Sequence, residues 1–145
     1  MNEMIYGDTE ALKNGHKIIE SGTFEGIDYK IVNIRGSHPC AYIRPTQDII
    51  TKYQESGDAE YDEYDGWRID VHGGVTFYGI YDDEAFGNDE WIGWDYAHLC
   101  DYTCIVDCEG NIYNPDVQDY EHKWTIEELY EEVKEAIKEL KENYK

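Results

Sequence analysis

The sequence predicts an α+β fold, in which a twisted antiparallel sheet of about five strands carries an amphipathic C-terminal helix packed on it. Two features predict this fold. Short apolar runs alternate with Gly, Pro and acidic turn segments over residues 16–98, and a helical apolar stripe follows residue 125. The 145 residues show no linker and no internal repeat, so we expect a single domain over residues 1–145. A small, partly closed β-barrel with the same helix is the alternative.

The first predicted elements are a short helix and a strand. Asp8 or Thr9 can cap a helix that Gly15 interrupts, and the residues from His16 onward fit a strand equally well.

A hairpin is predicted next. Ile27, Tyr29 and Ile31 alternate with polar residues, as expected for a half-buried strand. A second apolar run follows a Gly-Ser pair, which favours a turn between two paired strands. Pro39 and Pro45 place this second strand near an edge of the sheet or limit its length.

The middle of the chain predicts a short helix and three more strands. Residues 46–56 fit a helix that Gly57 ends, and residues 58–66 form a loop rich in acids and tyrosines. Residues 67–72 and 75–81 read as strands on either side of Gly73-Gly74, which form a hairpin turn or a bulge. A second acidic loop, residues 82–90, leads to a strand at residues 91–98, and residues 108–123 are irregular.

The C-terminal helix, at about residues 126–143, is the clearest element. Thr125 and Glu128 form a capping box, in which each side chain accepts a hydrogen bond from a free backbone N–H group. Seven apolar residues then follow helical spacing on one face: Ile126, Leu129, Tyr130, Val133, Ala136, Ile137 and Leu140. This stripe must pack on its own sheet or on a second copy, so a homo-oligomer through the helix is one expectation.

The charge limits the class of partner. The chain has 33 acidic and 12 basic residues, a formal net charge of −21, which excludes direct binding of nucleic acid. The charge fits a basic host protein as partner or a nucleic-acid mimic, although an acidic surface often serves only to keep a protein dispersed. The expected acidic partner surface comprises Asp58, Glu60, Asp62, Glu63, Asp65, Asp82, Asp83 and Glu84.

The expected location is cytoplasmic. The N-terminus has neither a basic nor an apolar signal region, and no apolar run is long enough to span a membrane, so no membrane partner is expected. The four cysteines should be mostly reduced there.

Two short segments carry the candidate site. The first contains His72, Gly73, Gly74 and Thr76, and the second contains Trp91, Gly93, Trp94, Asp95, His98 and Asp101. The last Asp, His and Asp have spacings of three, so on a helical turn they share one face. The segments end apolar runs that should pair as antiparallel strands, so we expect His72 to meet the turn around His98.

These segments form a joint pattern, H-G-G-x-T followed by W-x-G-x-D-x-A-H-x-x-D. The pattern resembles that of a set of small phage and prophage proteins. The resemblance covers roughly residues 36–101, with a C-terminal helix also expected. It implies a role in phage–host conflict, and hence the host cytosol, and brings no known reaction with it.

Three chemical interpretations of the motif remain open. In the first, His72, Asp95, His98 and Asp101 bind a divalent metal that activates water. In the second, Trp91, Trp94 and Tyr96 stack a base, His72, Thr76 and His98 donate hydrogen bonds, and Gly73 and Gly74 offer N–H groups to a phosphate, with Arg35, Arg44 or Arg68 close by. In the third, the same groups form buried structural hydrogen bonds.

The cysteines suggest a weaker metal site. Cys100, Cys104 and Cys108 are spaced by four with His98 nearby, but the usual C-x2-C spacing of a zinc site is missing. Ordinary buried thiols are the favoured interpretation, and Cys40 is isolated. No cofactor follows from the sequence.

The predicted function is a phage counter-defence protein that sequesters a nucleotide-derived host immune signal at the His72–His98 site. The second prediction, based on charge, is an acidic nucleic-acid-mimic inhibitor of a host nuclease. A metal-dependent phosphoesterase is the third.

Overall fold

The computed structural model describes residues 5–60 and 66–145. The helices are α1 (Thr9–Asn14), α2 (Gln47–Ser56) and α3 (Ile126–Asn143). The strands are β1 (His16–Phe24), β2 (Ile27–Ile34), β3 (His38–Arg44), β4 (Phe77–Ile80) and β5 (Glu90–Asp95). Short 3-10 turns cover Asp58–Glu60 and Glu84–Phe86.

The five strands form one open antiparallel sheet in the order β1-β2-β3-β5-β4. The predicted α+β fold is confirmed, and the sheet is not closed into the alternative barrel. Strand β5 lies between β3 and β4, with Ala41 opposite Trp94 on one side and Tyr78 opposite Ile92 on the other.

Strand β3 is central, so the predicted edge position was wrong. Pro39 is tolerated because it lies at the second residue of the strand, and its carbonyl accepts the Tyr96 N–H at 3.1 Å just beyond the end of β5. The predicted limit on strand length is confirmed, because β3 ends at Arg44, directly before Pro45.

Helix α3 covers one face of the sheet. The capping box of Thr125 and Glu128 is formed, as predicted. Six residues of its apolar stripe are buried in the main core, and Tyr130 is half-buried against Tyr29. The stripe is therefore used within the chain, and self-association through it would require the helix to leave its own sheet.

The opposite face of the sheet has a smaller core. Its buried residues are Val32, Cys40, Tyr42, Phe86 and Trp91. The 3-10 turn Glu84–Phe86 covers this face, and the Trp91 indole donates to the Phe86 carbonyl at 2.9 Å. Gly93 is required here, because a β-carbon on it would lie 2.5 Å from the Tyr42 ring.

Residues 67–72 are not a strand, contrary to the prediction. They run beside α3 and direct alternate N–H groups to its side chains and to Tyr144, the residue that caps its C-terminus. The Asp70 N–H donates to Glu139, the His72 N–H to Glu132 and the Arg68 N–H to the Tyr144 hydroxyl, at 2.8 to 3.1 Å. The intervening apolar side chains enter the main core. Because helix side chains satisfy the backbone, the segment needs no neighbouring strand.

Gly73 and Gly74 form a turn at the end of this segment and not the predicted two-stranded hairpin or bulge. The Gly74 N–H donates to the Val71 carbonyl at 2.9 Å, and both glycines have positive φ, +70° and +83°. The turn leads the chain from the helix-bound segment into β4, and directly before β4 the Thr76 N–H donates to the Gly93 carbonyl.

Among the helices of residues 5–60 and 66–145, none is long and apolar enough to cross a membrane.

Candidate functional site

The two motif segments meet at the pair formed by His72 and Asp101. His72 Nε2 lies 2.7 Å from Asp101 Oδ2, which also accepts the His98 N–H at 2.9 Å. The other carboxylate oxygen of Asp101 accepts the Trp124 indole N–H at 2.9 Å. The Asp101 side chain is only 2% exposed, whereas His72 is 26% exposed. One buried carboxylate therefore joins the glycine turn, the end of β5 and the approach to α3.

These hydrogen bonds control the charge on Asp101. Burial by itself would raise the pKa of the carboxyl group. The hydrogen bonds from Trp124, from the His98 N–H and from His72 outweigh that effect and hold the pKa of Asp101 below its ordinary value. Asp101 is therefore ionised at neutral pH and is a fixed acceptor for His72.

His98 packs against the glycine turn. Its ring centre is 5.6 Å from that of His72, in an edge-on arrangement. His98 Nε2 lies 3.1 Å from Asp95 Oδ1, but the direction of approach forms no hydrogen bond, and the buried Nε2 has no other partner among the described residues. A β-carbon at Gly73 would overlap this ring, with Cε1 at 2.7 Å and Nε2 closer. This contact explains why the motif pairs a glycine with a histidine.

Asp95 and Thr76 form the exposed side of the site. Asp95 accepts the Ala97 N–H at 3.2 Å and the Thr76 hydroxyl at 3.3 Å. This geometry agrees with the prediction that Thr76 lies beside β5 near the histidines.

Aromatic side chains form the floor. The His72 ring stacks on Tyr96 with 5.1 Å between centres and 3° between planes, and Trp124 packs edge-on to His72 at 5.0 Å. Beneath them, Glu132 of α3 accepts the Trp94 indole N–H and the Tyr96 hydroxyl. Trp94 and Tyr96 are fully buried, so a base cannot stack on them in this conformation.

Sequence reasoning missed His38, at the start of β3. Burial lowers its pKa and Arg35 lowers it further, while Asp95 and Asp101 oppose them, so these charges lie within electrostatic reach. Arg35 is exposed in the β2–β3 turn with φ +54°, and forms no ion pair with any described residue. We call His38, His72 and His98 the histidine cluster.

Two predicted ligand contacts are not available at this cluster. Trp91 lies on the opposite face of the sheet, in the smaller core, so it shares no site with Trp94. The Gly74 N–H is used within its own turn and is not free for a phosphate. Of the three arginines considered, Arg44 and Arg68 are paired with Asp28, Asp89 and Asp58.

The metal interpretations gain no support from the geometry. Among the described residues, no three His, Cys, Asp or Glu side chains are arranged to hold a metal ion. Cys40 and Cys104 are buried thiols, but Cys100 and Cys108 are exposed, so the favoured interpretation as buried thiols was wrong for those two.

The predicted acidic surface is partly used within the chain. The Asp58 carboxylate binds Arg68 and the Tyr144 hydroxyl, and Asp83 binds His16 and caps the 3-10 turn at Ala85. The remaining members in the described part of the chain are exposed: Glu60, Asp82 and Glu84. Three members lie outside the described residues: Asp62, Glu63 and Asp65.

Comparisons of the chain with protein-family models, curated proteins and solved structures found no match.

Proposed function

We propose that this protein binds a small anionic, nucleotide-like ligand at the histidine cluster. One observation carries the proposal. In a chain with a net charge of −21, three of the five histidines gather at one end of the sheet, beside an exposed arginine that has no ion-pair partner among the described residues. An anion that approaches an acidic protein needs a local exception to the surrounding negative field. Arg35 supplies it, because His72 and His98 already lie beside the carboxylates of Asp101 and Asp95.

The available groups favour recognition of a phosphate over recognition of a base. The Arg35 guanidinium can form two parallel hydrogen bonds to a phosphate. The His98 side chain is 35% exposed although its Nε2 is buried against the glycine turn, so the other ring nitrogen, Nδ1, can donate a third in the tautomer that protonates it. The buried Tyr96 supports His72 from below, and neither Tyr96 nor the buried Trp94 offers a stacking surface to a ligand.

The biological role follows from the sequence resemblance. A protein that binds a nucleotide-derived signal without converting it lowers the free concentration of that signal by mass action. We propose that this is how the chain would serve a phage against host immunity. Sequestration is effective only when the dissociation constant lies below the working concentration of the signal.

The test is calorimetric titration of the full chain with AMP, with a cyclic dinucleotide and with inorganic phosphate. We expect binding of at least one nucleotide. His98→Gln should weaken it about tenfold, the loss of one charge-assisted hydrogen bond, and Arg35→Gln should weaken it by at least as much, since two such bonds are lost. Arg44→Gln is the matched control, because Arg44 ends the same strand that His38 begins and is already paired with Asp28. Equal affinity of all variants, or no binding of any of the three probes, would contradict the proposal.

A further inference from the structure

Residues 105–113 form a small ordered hairpin where the sequence predicted irregular chain from residue 108 onward. Val106 pairs with Ile112 in an antiparallel bridge. The Tyr113 N–H donates to the Ile105 carbonyl at 2.8 Å, and the Asp107 N–H donates to the Asn111 carbonyl at 3.0 Å. We call this segment the acidic hairpin.

Side-chain hydrogen bonds hold the acidic hairpin in one conformation. At its tip, the Asp107 carboxylate accepts the N–H groups of Glu109 and Asn111 at 2.9 Å. At its base, Asn114 accepts the Ile105 N–H, and its carbonyl accepts the hydroxyl of Tyr102, a core residue. The hairpin is thus tied to the core, so a partner that binds it loses little conformational entropy from this side.

The hairpin exposes a pair of large apolar side chains. The register that pairs Val106 with Ile112 places Ile105 opposite Tyr113, and directly opposed residues project from the same face. Ile105 is 61% exposed and Tyr113 is 69% exposed. The alternate residue Ile112 points inward and packs against Gly7. Two large apolar side chains on the same face of an ordered hairpin can serve as the anchor of a contact.

The charges around this pair specify the kind of partner. Residues 69–122 contain no Lys and no Arg. The carboxylates of the hairpin and of the segment after it form no ion pair with a described residue: Asp107, Glu109, Asp116, Asp119 and Glu121. Asp58 and Asp83 are already paired, and the Asp107 and Glu121 carboxylates accept hydrogen bonds within the chain. The carboxylates of Glu109, Asp116 and Asp119 are available to a cationic surface.

We propose that the acidic hairpin docks a lysine- or arginine-rich segment of another protein, with an apolar side chain of that segment packed between Ile105 and Tyr113. This surface shares no residue with the proposed ligand site, and neither proposal depends on the other. The apolar pair supplies the anchor, and the surrounding carboxylates select basic partners and accelerate their association.

The experiment measures fluorescence anisotropy of a labelled peptide in which lysine and leucine alternate, titrated with the full chain. A lysine–serine peptide of equal length and charge tests the apolar anchor. The double variant Ile105→Ser/Tyr113→Ser tests the location, and Ile80→Ser, which removes another exposed apolar side chain at the end of β4, is the control. We expect the lysine–leucine peptide to bind about tenfold more tightly than the lysine–serine peptide, and the double variant to lose that difference.

Three results would overturn the proposal. The first is no binding of the lysine–leucine peptide, and the second is equal affinity of the double variant and the unchanged chain for it. The third is a sedimentation result in which the unchanged chain and Ile80→Ser are dimers but the double variant is a monomer. That result would identify a second copy of the chain as the occupant. Circular dichroism of each variant checks that the fold is kept.

Discussion

The imidazole of His98 packs so closely on Gly73 that no side chain fits at position 73: a β-carbon there would lie 2.7 Å from His98 Cε1 and closer still to Nε2. The two residues are 25 positions apart in the sequence. Their contact joins the glycine turn to the turn after β5, and it answers why the motif contains both.

Gly73→Ala is therefore expected to destabilise the protein more than Gly74→Ala. Both glycines have positive φ, so each substitution costs about 1 kcal/mol in backbone strain. Only Gly73→Ala also displaces His98, since a β-carbon at Gly74 has no neighbour within 4 Å. Urea unfolding of both variants measures the difference. In a His98→Ala background the two substitutions should cost the same, and equal costs in the unchanged chain would show that the contact is absent.

Asp101→Asn should lower the free energy of unfolding by about 2 kcal/mol, because an NH2 group replaces one carboxylate oxygen that accepts hydrogen bonds from buried donors. Asp95→Asn is the matched control, since Asp95 is part of the same site but is 28% exposed. Its cost should stay below about 1 kcal/mol. Chemical denaturation at neutral pH gives both values. A larger loss from Asp95→Asn would mean that Asp101 does not join the segments as described.

The same residue should contribute to acid unfolding. The pKa of Asp101 is lowered in the folded state, so the unfolded chain binds the proton first as the pH falls. The stabilisation is fully present above the unfolded-state pKa of about 4 and is lost as the pH falls through the lower folded-state pKa. We expect the free energy of unfolding to fall less steeply below about pH 4 in Asp101→Asn than in the unchanged chain. Parallel slopes would contradict this assignment.

Glu132→Ala should be more destabilising than Glu139→Ala. Both carboxylates accept one backbone N–H from residues 67–72, but Glu132 also accepts the Trp94 indole and the Tyr96 hydroxyl in the core. Glu132→Ala leaves the buried Tyr96 hydroxyl without its acceptor, which costs about 2 kcal/mol or more in the free energy of unfolding, whereas the Trp94 indole keeps the Tyr96 hydroxyl oxygen as an acceptor at 2.9 Å. Thermal unfolding of the two variants compares these otherwise matched positions. Equal melting temperatures would show that the Tyr96 hydroxyl finds another acceptor.

Leu129→Ala should cost about 3 kcal/mol, because Leu129 is fully buried between α3 and the sheet. Glu135→Ala, on the exposed side of the same helix, should change the stability by less than about 0.5 kcal/mol. Denaturant midpoints of the two variants test the packing of α3 on its own sheet. If Leu129→Ala had the same denaturant midpoint as the unchanged chain, the apolar stripe of α3 would not be packed on the sheet.

Local sequence patterns were sufficient for several elements. Helix α3 has a capping box and an apolar stripe within 18 residues, and both signals depend only on near neighbours. Strand β2 alternates apolar and polar residues from Ile27 to Ile31, so Ile27, Tyr29 and Ile31 enter the core as expected. Regular alternation also placed Trp91 and Trp94 on opposite faces, since residues three apart in a strand point in opposite directions. The sequence interpretation overlooked that rule when it assigned both tryptophans to one pocket.

By itself, then, the sequence determined the fold class, the long helix and the meeting of His72 with the turn that holds His98 and Asp101. Only the tertiary structure decided that β5 enters between β3 and β4, that α3 side chains satisfy residues 67–72, and that His38 joins the site. It also decided that Ile105 and Tyr113 remain exposed. The physical reason is the range of the interactions. Caps and periodicity act over a few residues, whereas strand order and the satisfaction of backbone N–H groups depend on partners distant in the chain.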